Sequence, residues 1–412
     1  MVAGGEVNGM DDWRQFDIAN PTEEHSMLRE MLRDFVREEV EPQALIHDRE
    51  ERFNLKLFRQ LGDYGLLGIT VPEDYGGAGM DVTAAAIVNE ELSYSDPGFC
   101  LAYLAHALLM VNNLAVNGND EQKHRILPKV CSGEWVSCMA MSEPDYGTDV
   151  LGMQTTAVEQ EDGTWVINGN KMWITNGVLD EAGTPADIVW LYARTGEDDR
   201  GRPAISTFIV EHGMPGYKGG QKILDKTGMR GSNTSELVFD DCIVPAANLV
   251  GNVGGSIGHM MRNLELERIS LAAMSLGIAR RSLSAMNRYA SERQAFGKPL
   301  RNFGQIQRHI GESWSEYRAM RSYIYDTARR MDVGESGNRL DSDGVKLFAT
   351  TAAKNIADRA MQVLGGYGYV GEYVVERLWR DAKLLEIGGG TLESHQKNIS
   401  RDLTDNNTAI EE

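Results

Sequence analysis

The spacing of apolar residues changes twice along the chain. From Pro21 to about Lys129 they recur at helical intervals, as in Met27, Met31, Leu32 and Val36, after a Pro21-Thr22 start followed by acids. The stretch 101–111 is nearly all apolar, which predicts a helix buried on most of its faces. From about Glu134 to Val250 the period becomes two, and short strands are expected at 135–136, 165–167, 172–174, 188–192, 205–210 and 237–239. Asn168-Gly169 reads as the turn of a hairpin between two of them. Antiparallel strands in this number suggest a sandwich or small barrel. Beyond the Gly-rich run 251–258 the helical period returns and persists almost to the end. The pattern predicts an α+β chain with a flexible extension (1–20), a helical domain (21–133), a β-domain (134–250) and a second helical domain (251–412).

Within that last segment, Leu264, Leu271, Met274 and Ile278 form one apolar stripe, and Glu267 stands on it. An inward carboxylate is costly to ionise without a partner. Glu267 is therefore either half of an ion pair, with Arg268 or a distant Lys, or a group whose pKa rises into the range useful to a general base.

Composition narrows the function. The chain has 412 residues, 42% of them hydrophobic, enough for two or three packed units. A net charge of −20 disfavours nucleic acid and anionic membrane surfaces as partners. The four cysteines, Cys100, Cys131, Cys138 and Cys242, lack CxxC pairing and read as core thiols of a reducing compartment. No signal or transit pattern opens the chain, so a cytoplasmic protein is expected. Its eight histidines show no ligand spacing, and no metal is expected.

Three Gly-rich stretches carry candidate chemistry. Gly366 to Gly371 matches GxGxxG, but a helical pattern precedes it where a dinucleotide fingerprint needs a strand. Gly254-Gly-Ser256-Ile-Gly258 matches GxSxG, with Asp381 and His395 following in the order of a hydrolase triad, which makes a serine hydrolase using Ser256 the rival class. No strand-helix alternation surrounds that motif. The third stretch, Gly388-Gly389-Gly390-Thr391, would let a ligand approach the backbone closely. Elsewhere, Met141 to Asp149 ends a strand with hydroxyls and acids, and Trp173 lies two residues from Thr175, an aromatic plane beside a hydroxyl suited to a planar heterocycle.

Taken together, Met141-Ser-Glu-Pro to Gly147-Thr-Asp149, Lys171 to Gly177, Gly228 to Thr234, Arg293 to Gly297 and Gln362 to Asp381 resemble the acyl-CoA dehydrogenase family of flavoproteins, from about Thr22 to Asp402. The resemblance implies a helical domain, a β-domain and a C-terminal four-helix bundle, usually assembled as a homotetramer, a dimer of dimers. FAD is the implied cofactor, with Met139, Met141, Ser142, Gly147 and Thr148 lining it, Trp173, Ile174 and Thr175 at the flavin ring, and Thr391 and Glu393 at its last contacts. Arg293, Phe296, Gln362, Gly365 and Gly366 would hold the pyrophosphate and adenosine of a neighbouring subunit's FAD. Thr148, Glu265, Arg268, Gly389 and Gly390 would meet the acyl-CoA.

The implied activity is α,β-dehydrogenation of an acyl-CoA thioester to the trans-2-enoyl-CoA, with electrons passing to electron-transfer flavoprotein. In most members the base is a Glu just before the Gly-Thr pair near the C-terminus, and Gly389 occupies that position here. The chain is more similar to the isovaleryl-CoA and long-chain acyl-CoA dehydrogenase branch, whose base precedes an Arg on the first long helix of the C-terminal domain, as Glu267 precedes Arg268. The absent side chain at 389 would suit a short branched acyl group, or a bulkier one such as a long-chain, terpenoid or aryl-substituted acyl-CoA. Tyr146 and Gly304 depart from the family pattern in the flavin loop and at a cofactor contact.

Overall fold

The computed structural model describes residues 16–198, 200–405 and 410. Helix α1 (Glu23–Phe35) begins where Thr22 accepts the His25 N–H, and Glu23 and Glu24 favour the positive end of the helix dipole. Through a π-helical turn at Val36–Val40 it runs on into α2 (Glu41–Glu50). Then come α3 (Leu55–Asp63), α4 (Val82–Ser95), α5 (Pro97–Leu104), α6 (Asn112–Asn117) and α7 (Asp120–Cys131). The apolar stretch 97–117 is long enough to cross a membrane by length and composition, yet 83% of its window is buried inside the protein. Of the N-terminal extension, residues 1–15 lie outside the described part. Ala19 is fully buried and Asp17 pairs with Arg321, so its last residues are anchored to the fold.

A sheet follows: β1 (Ser137–Ala140), β2 (Thr156–Glu159), β3 (Trp165–Thr175), β4 (Ile188–Glu197), β5 (Pro203–Glu211), β6 (Tyr217–Lys222), β7 (Thr234–Val244) and β8 (Leu249–Val250). Its order is β6-β7-β3-β2-β4-β5-β8, with β1 added on β4. Two features differ from the expectation. Pairing is mixed, because β1 and β2 run parallel to β4 while the other pairs are antiparallel. Asn168-Gly169 is no hairpin turn either. It lies within β3 at a register shift against β7, where Asn168 exchanges hydrogen bonds with Asp241. The chain reverses between β2 and β3 at Gln160–Thr164, with Gly163 in the left-handed region.

The C-terminal helices are α8 (Ile257–Glu292), α9 (Gly304–Ala328), α10 (Arg339–Leu364), α11 (Val374–Leu385) and α12 (Leu392–Asp405), with a small hairpin of β9 (Gln294–Ala295) and β10 (Lys298–Pro299) between α8 and α9. One hydrophobic core runs from Ala19 through Leu385, so the first and last helical segments share their interior. Helices α4 and α8 approach closely at Gly277, where a Cβ would collide with Ser93 and the Glu90 carbonyl; Ser93 instead donates to the Met274 carbonyl. A second apolar cluster, including Met110, Trp190, Tyr192 and Met260, joins sheet to helices. Helix α8 thus carries Glu267 into the middle of the molecule.

Candidate active site

Glu267 lies on α8 and is 9% exposed. Burial pushes its carboxyl above the ordinary range, and the nearby cations Arg268 and Lys346 offset part of that. Among the described residues it has no ion pair within 4 Å, because Arg268 pairs with Asp343 at 3.2 Å instead. Facing it is the turn after α11, where Gly389 and Gly390 both have left-handed backbone, φ 66° and 97°. A Cβ built on Gly389 would press on Leu271 and lie 3.4 Å from Glu267 Oε1. Two carboxylates at these positions would compete for one space, and only Glu267 is present.

The turn is held from behind. Gly390 presents its carbonyl to Lys346 Nζ and to His395 Nε2, the latter at 3.0 Å, and His395 Nδ1 bonds Asp343. Burial of Lys346 lowers its pKa to about 8, against the attraction of Glu267. Among the described residues the N–H groups of Gly389 and Gly390 donate to no protein acceptor, so they are free to bind a ligand oxygen.

At the sheet, Met172 N–H donates to the Ser142 carbonyl, and the fully buried Lys171 binds the Met141 carbonyl and Glu143, at 3.0 and 2.9 Å. Glu143 in turn accepts from the backbone of Gln154 and Thr155. This network fixes the 141–155 loop on β3, bringing Ser142 beside the strand that carries Trp173. Trp173 has φ 67° and is 61% exposed, an indole held in an unfavourable backbone conformation with its surface open. Thr175 is half-buried, as are Met139 and Ser142, and Gly147 and Thr148 are exposed. Ile174 is 3% exposed, so its side chain belongs to the core and only its backbone can meet a cofactor.

A separate cavity of about 550 Å³ is lined by Tyr289, Arg293, Val363, Gly365, Gly366 and Tyr367 among others. Among the described residues nothing lies within 4 Å of a Cβ on Gly365 or Gly366, an open cradle beside an exposed guanidinium, which suits a pyrophosphate. Gln362 is exposed one turn before it, and Phe296, at φ 49°, is 96% exposed. The open aromatic plane and hydroxyl-bearing loop fit a flavin ring, and the separate Arg-glycine cradle fits the pyrophosphate of a dinucleotide. Thr391 caps α12 through Ser394, and Glu393 is exposed on its first turn.

Glu265 accepts from the N–H groups of Gly337 and Asn338 at the start of α10, and Arg268 Nε lies 3.2 Å from Asp343 Oδ1; both side chains are buried. One expectation is corrected. The hydrolase triad is not assembled, since the partners of His395 are Asp343 and Gly390, Asp381 accepts from Met229 N–H, and buried Ser256 Oγ has no hydrogen-bond partner among the described residues. Conversely, Lys171, Asp343, Lys346 and the clamping role of His395 escaped the sequence reading. Buried cations and acids leave only a weak signal, a charged residue on an otherwise inward face, as with Asp343 and Lys346 one turn apart on α10.

Comparison with known proteins gives the family. The chain matches the acyl-CoA dehydrogenase N-terminal domain over residues 22–134, the middle domain over 138–242 and the C-terminal domain over 257–404. It is 42% identical over 378 residues to a mitochondrial isovaleryl-CoA dehydrogenase of Oryza sativa, covering 91% of this chain and 90% of that protein. Butyryl-CoA dehydrogenase from Megasphaera elsdenii superposes with a TM-score of 0.88 at 33% identity, covering 96% and 100% of the two chains. An acyl-CoA dehydrogenase from Bacillus anthracis, solved with FAD, gives 0.85 at 30% identity, covering 95% of this chain and 68% of that one. The chain belongs to the acyl-CoA dehydrogenase family. It is an oxidoreductase of acyl-CoA thioesters with FAD as cofactor.

Proposed function

We propose that Glu267 removes the α-proton of a short branched acyl-CoA of the isovaleryl type while the free N–H groups of the 389–390 turn polarise the thioester carbonyl. The observation that carries this reading is the single carboxylate: Glu267 Oε1 stands 3.4 Å from where a Cβ on Gly389 would lie. Bound FAD supplies the acceptor for the β-hydride. Around it, Ser142, Trp173 and Thr175 orient the ring, and burial around Glu267 excludes water and raises the affinity of its carboxylate for the proton it takes. Polarising the carbonyl acidifies the α-carbon, which makes proton removal by a carboxylate feasible.

Similarity to isovaleryl-CoA dehydrogenases and to a 2-methylacyl-CoA dehydrogenase of Solanum tuberosum supports a branched substrate. A bulkier acyl-CoA is the alternative that the small residue at 389 also favours. Electron-transfer flavoprotein as acceptor, a homotetramer and a cytoplasmic location complete the proposal. The division at 21–133, 134–250 and 251–412 is part of it. Flavin reduction measured across straight, branched and aryl acyl-CoAs tests the assignment: activity confined to straight short chains would defeat it.

A further inference from the structure

The turn that faces Glu267 is fastened by a buried charged cluster that the family assignment does not explain. His395 is fully buried on α12, and each of its ring nitrogens meets an acceptor, Asp343 at Nδ1 and the Gly390 carbonyl at Nε2. With an N–H at Nε2 the ring donates to the Gly390 carbonyl, while Nδ1 lies against Asp343. The other charged groups facing it are Arg268 on α8, 3.2 Å from Asp343, and Lys346 on α10, which donates to the same Gly390 carbonyl. Four side chains from three helices therefore converge behind one peptide group.

We infer that His395 is a positioning residue for the dehydrogenation: by holding the Gly390 carbonyl through Nε2 it anchors the far end of the 389–390 turn and restricts rotation of the preceding peptides, whose Gly389 and Gly390 N–H groups face the substrate. This rests on the reading of Glu267 and the 389–390 turn given above. Glycines with φ 66° and 97° have no side chains to hold them, so the turn is fixed by what its carbonyl binds. A displacement of the order of 1 Å at reacting atoms costs roughly 100-fold in rate.

Two substitutions separate positioning from simple helix pinning. In His395→Gln the amide nitrogen reaches about where Nε2 lies and keeps the donor to Gly390; in His395→Asn it lies near Nδ1 and keeps only the Asp343 contact. The inference expects H395Q to retain kcat within about threefold, and H395N to lose roughly 10- to 100-fold in kcat with KM nearly unchanged. It also expects H395N to lose preference for an enoyl-CoA product over the S-alkyl-CoA of the same chain, which lacks the carbonyl, in equilibrium binding. Equal kcat for the two variants, or the better rate in H395N, overturns it.

Should either variant fail to fold, Lys346→Met leaves His395 as the remaining side-chain donor to that carbonyl, and kcat read on its pH plateau should hold within about threefold; a loss of roughly 10-fold or more with KM unchanged would assign the turn to Lys346 and overturn the inference. Glu267→Gln is run in parallel. If E267Q reduces flavin at the normal rate, the base assignment fails whatever His395 does. If E267Q is inactive and the His395 pair behaves alike, only the clamp fails.

Discussion

At the scale of single residues, the site turns on the contrast between Glu267 and Gly389. Burial lifts the Glu267 carboxyl, and a base must be ionised to act. The rate of flavin reduction should therefore fall on the acid side, through a midpoint above the ordinary 4.5 of a glutamate, in a stopped-flow pH profile. Glu267→Gln keeps the shape and removes the base, so reduction should slow at least ~100-fold with substrate binding retained, as titrated in the flavin spectrum. Gly389→Glu brings a second carboxylate to the space beside Glu267 and presses on Leu271. Branched acyl-CoA turnover should then fall by more than straight-chain turnover, and equal losses would argue that position 389 does not shape the acyl pocket. Gly389 was legible as a departure from a family pattern; that its missing side chain would sit beside Glu267 was not.

Among elements, β3 is the one on which the flavin side of the site depends. Lys171 on that strand is fully buried, and Glu143 beside it is 4% exposed. Breaking a buried pair leaves the remaining charge uncompensated, at a cost of about 3–5 kcal/mol. Lys171→Met should lower the melting temperature and release FAD, measured by calorimetry and by flavin content after gel filtration. A variant that keeps full flavin would show that the 141–155 loop does not need this anchor. The alternation of β3 announced a strand, whereas the bulges that give Trp173 a left-handed backbone depend on its partner β7. Asn168-Gly169 was misread for the same reason: a turn dipeptide and a bulge dipeptide have the same local preference, and only strand pairing chooses between them.

Across the whole molecule, a buried charge cluster ties the first helical segment to the last. Arg29 on α1 binds Glu90 and Glu91 on α4, Arg280 on α8 binds both again, and Tyr325 on α9 donates to Glu90. Burial alone would raise the Glu90 carboxyl, but Arg280 and Arg29 outweigh it and hold it near 2. A depressed carboxylate contributes stability that is fully present above the unfolded value of about 4.5 and is lost as pH falls toward 2. Thermal unfolding between pH 6 and pH 2.5 should therefore show a steep loss of melting temperature across roughly this window. Arg29→Met should destabilise the wild-type fold at neutral pH, by about 3–5 kcal/mol in denaturant titration. An unchanged midpoint at neutral pH would show that the cluster does not couple the helical segments.

The sequence by itself determined the order of helices, sheet and helices, the inward position of Glu267 and the empty place at 389. These follow from local periodicity and residue identity, which the chain carries without needing its fold. The tertiary structure decided the partners: that Arg268 turns to Asp343 and leaves Glu267 unpaired, that Glu265 caps α10, that β1 runs parallel to β4, and that His395 reaches Gly390. Charged and polar groups at helical spacing can face any of several neighbours with similar local cost. Which neighbour is present is fixed only when α4, α8, α10 and α12 pack around one core, because burial then makes every unpaired charge expensive and selects the arrangement that satisfies most of them.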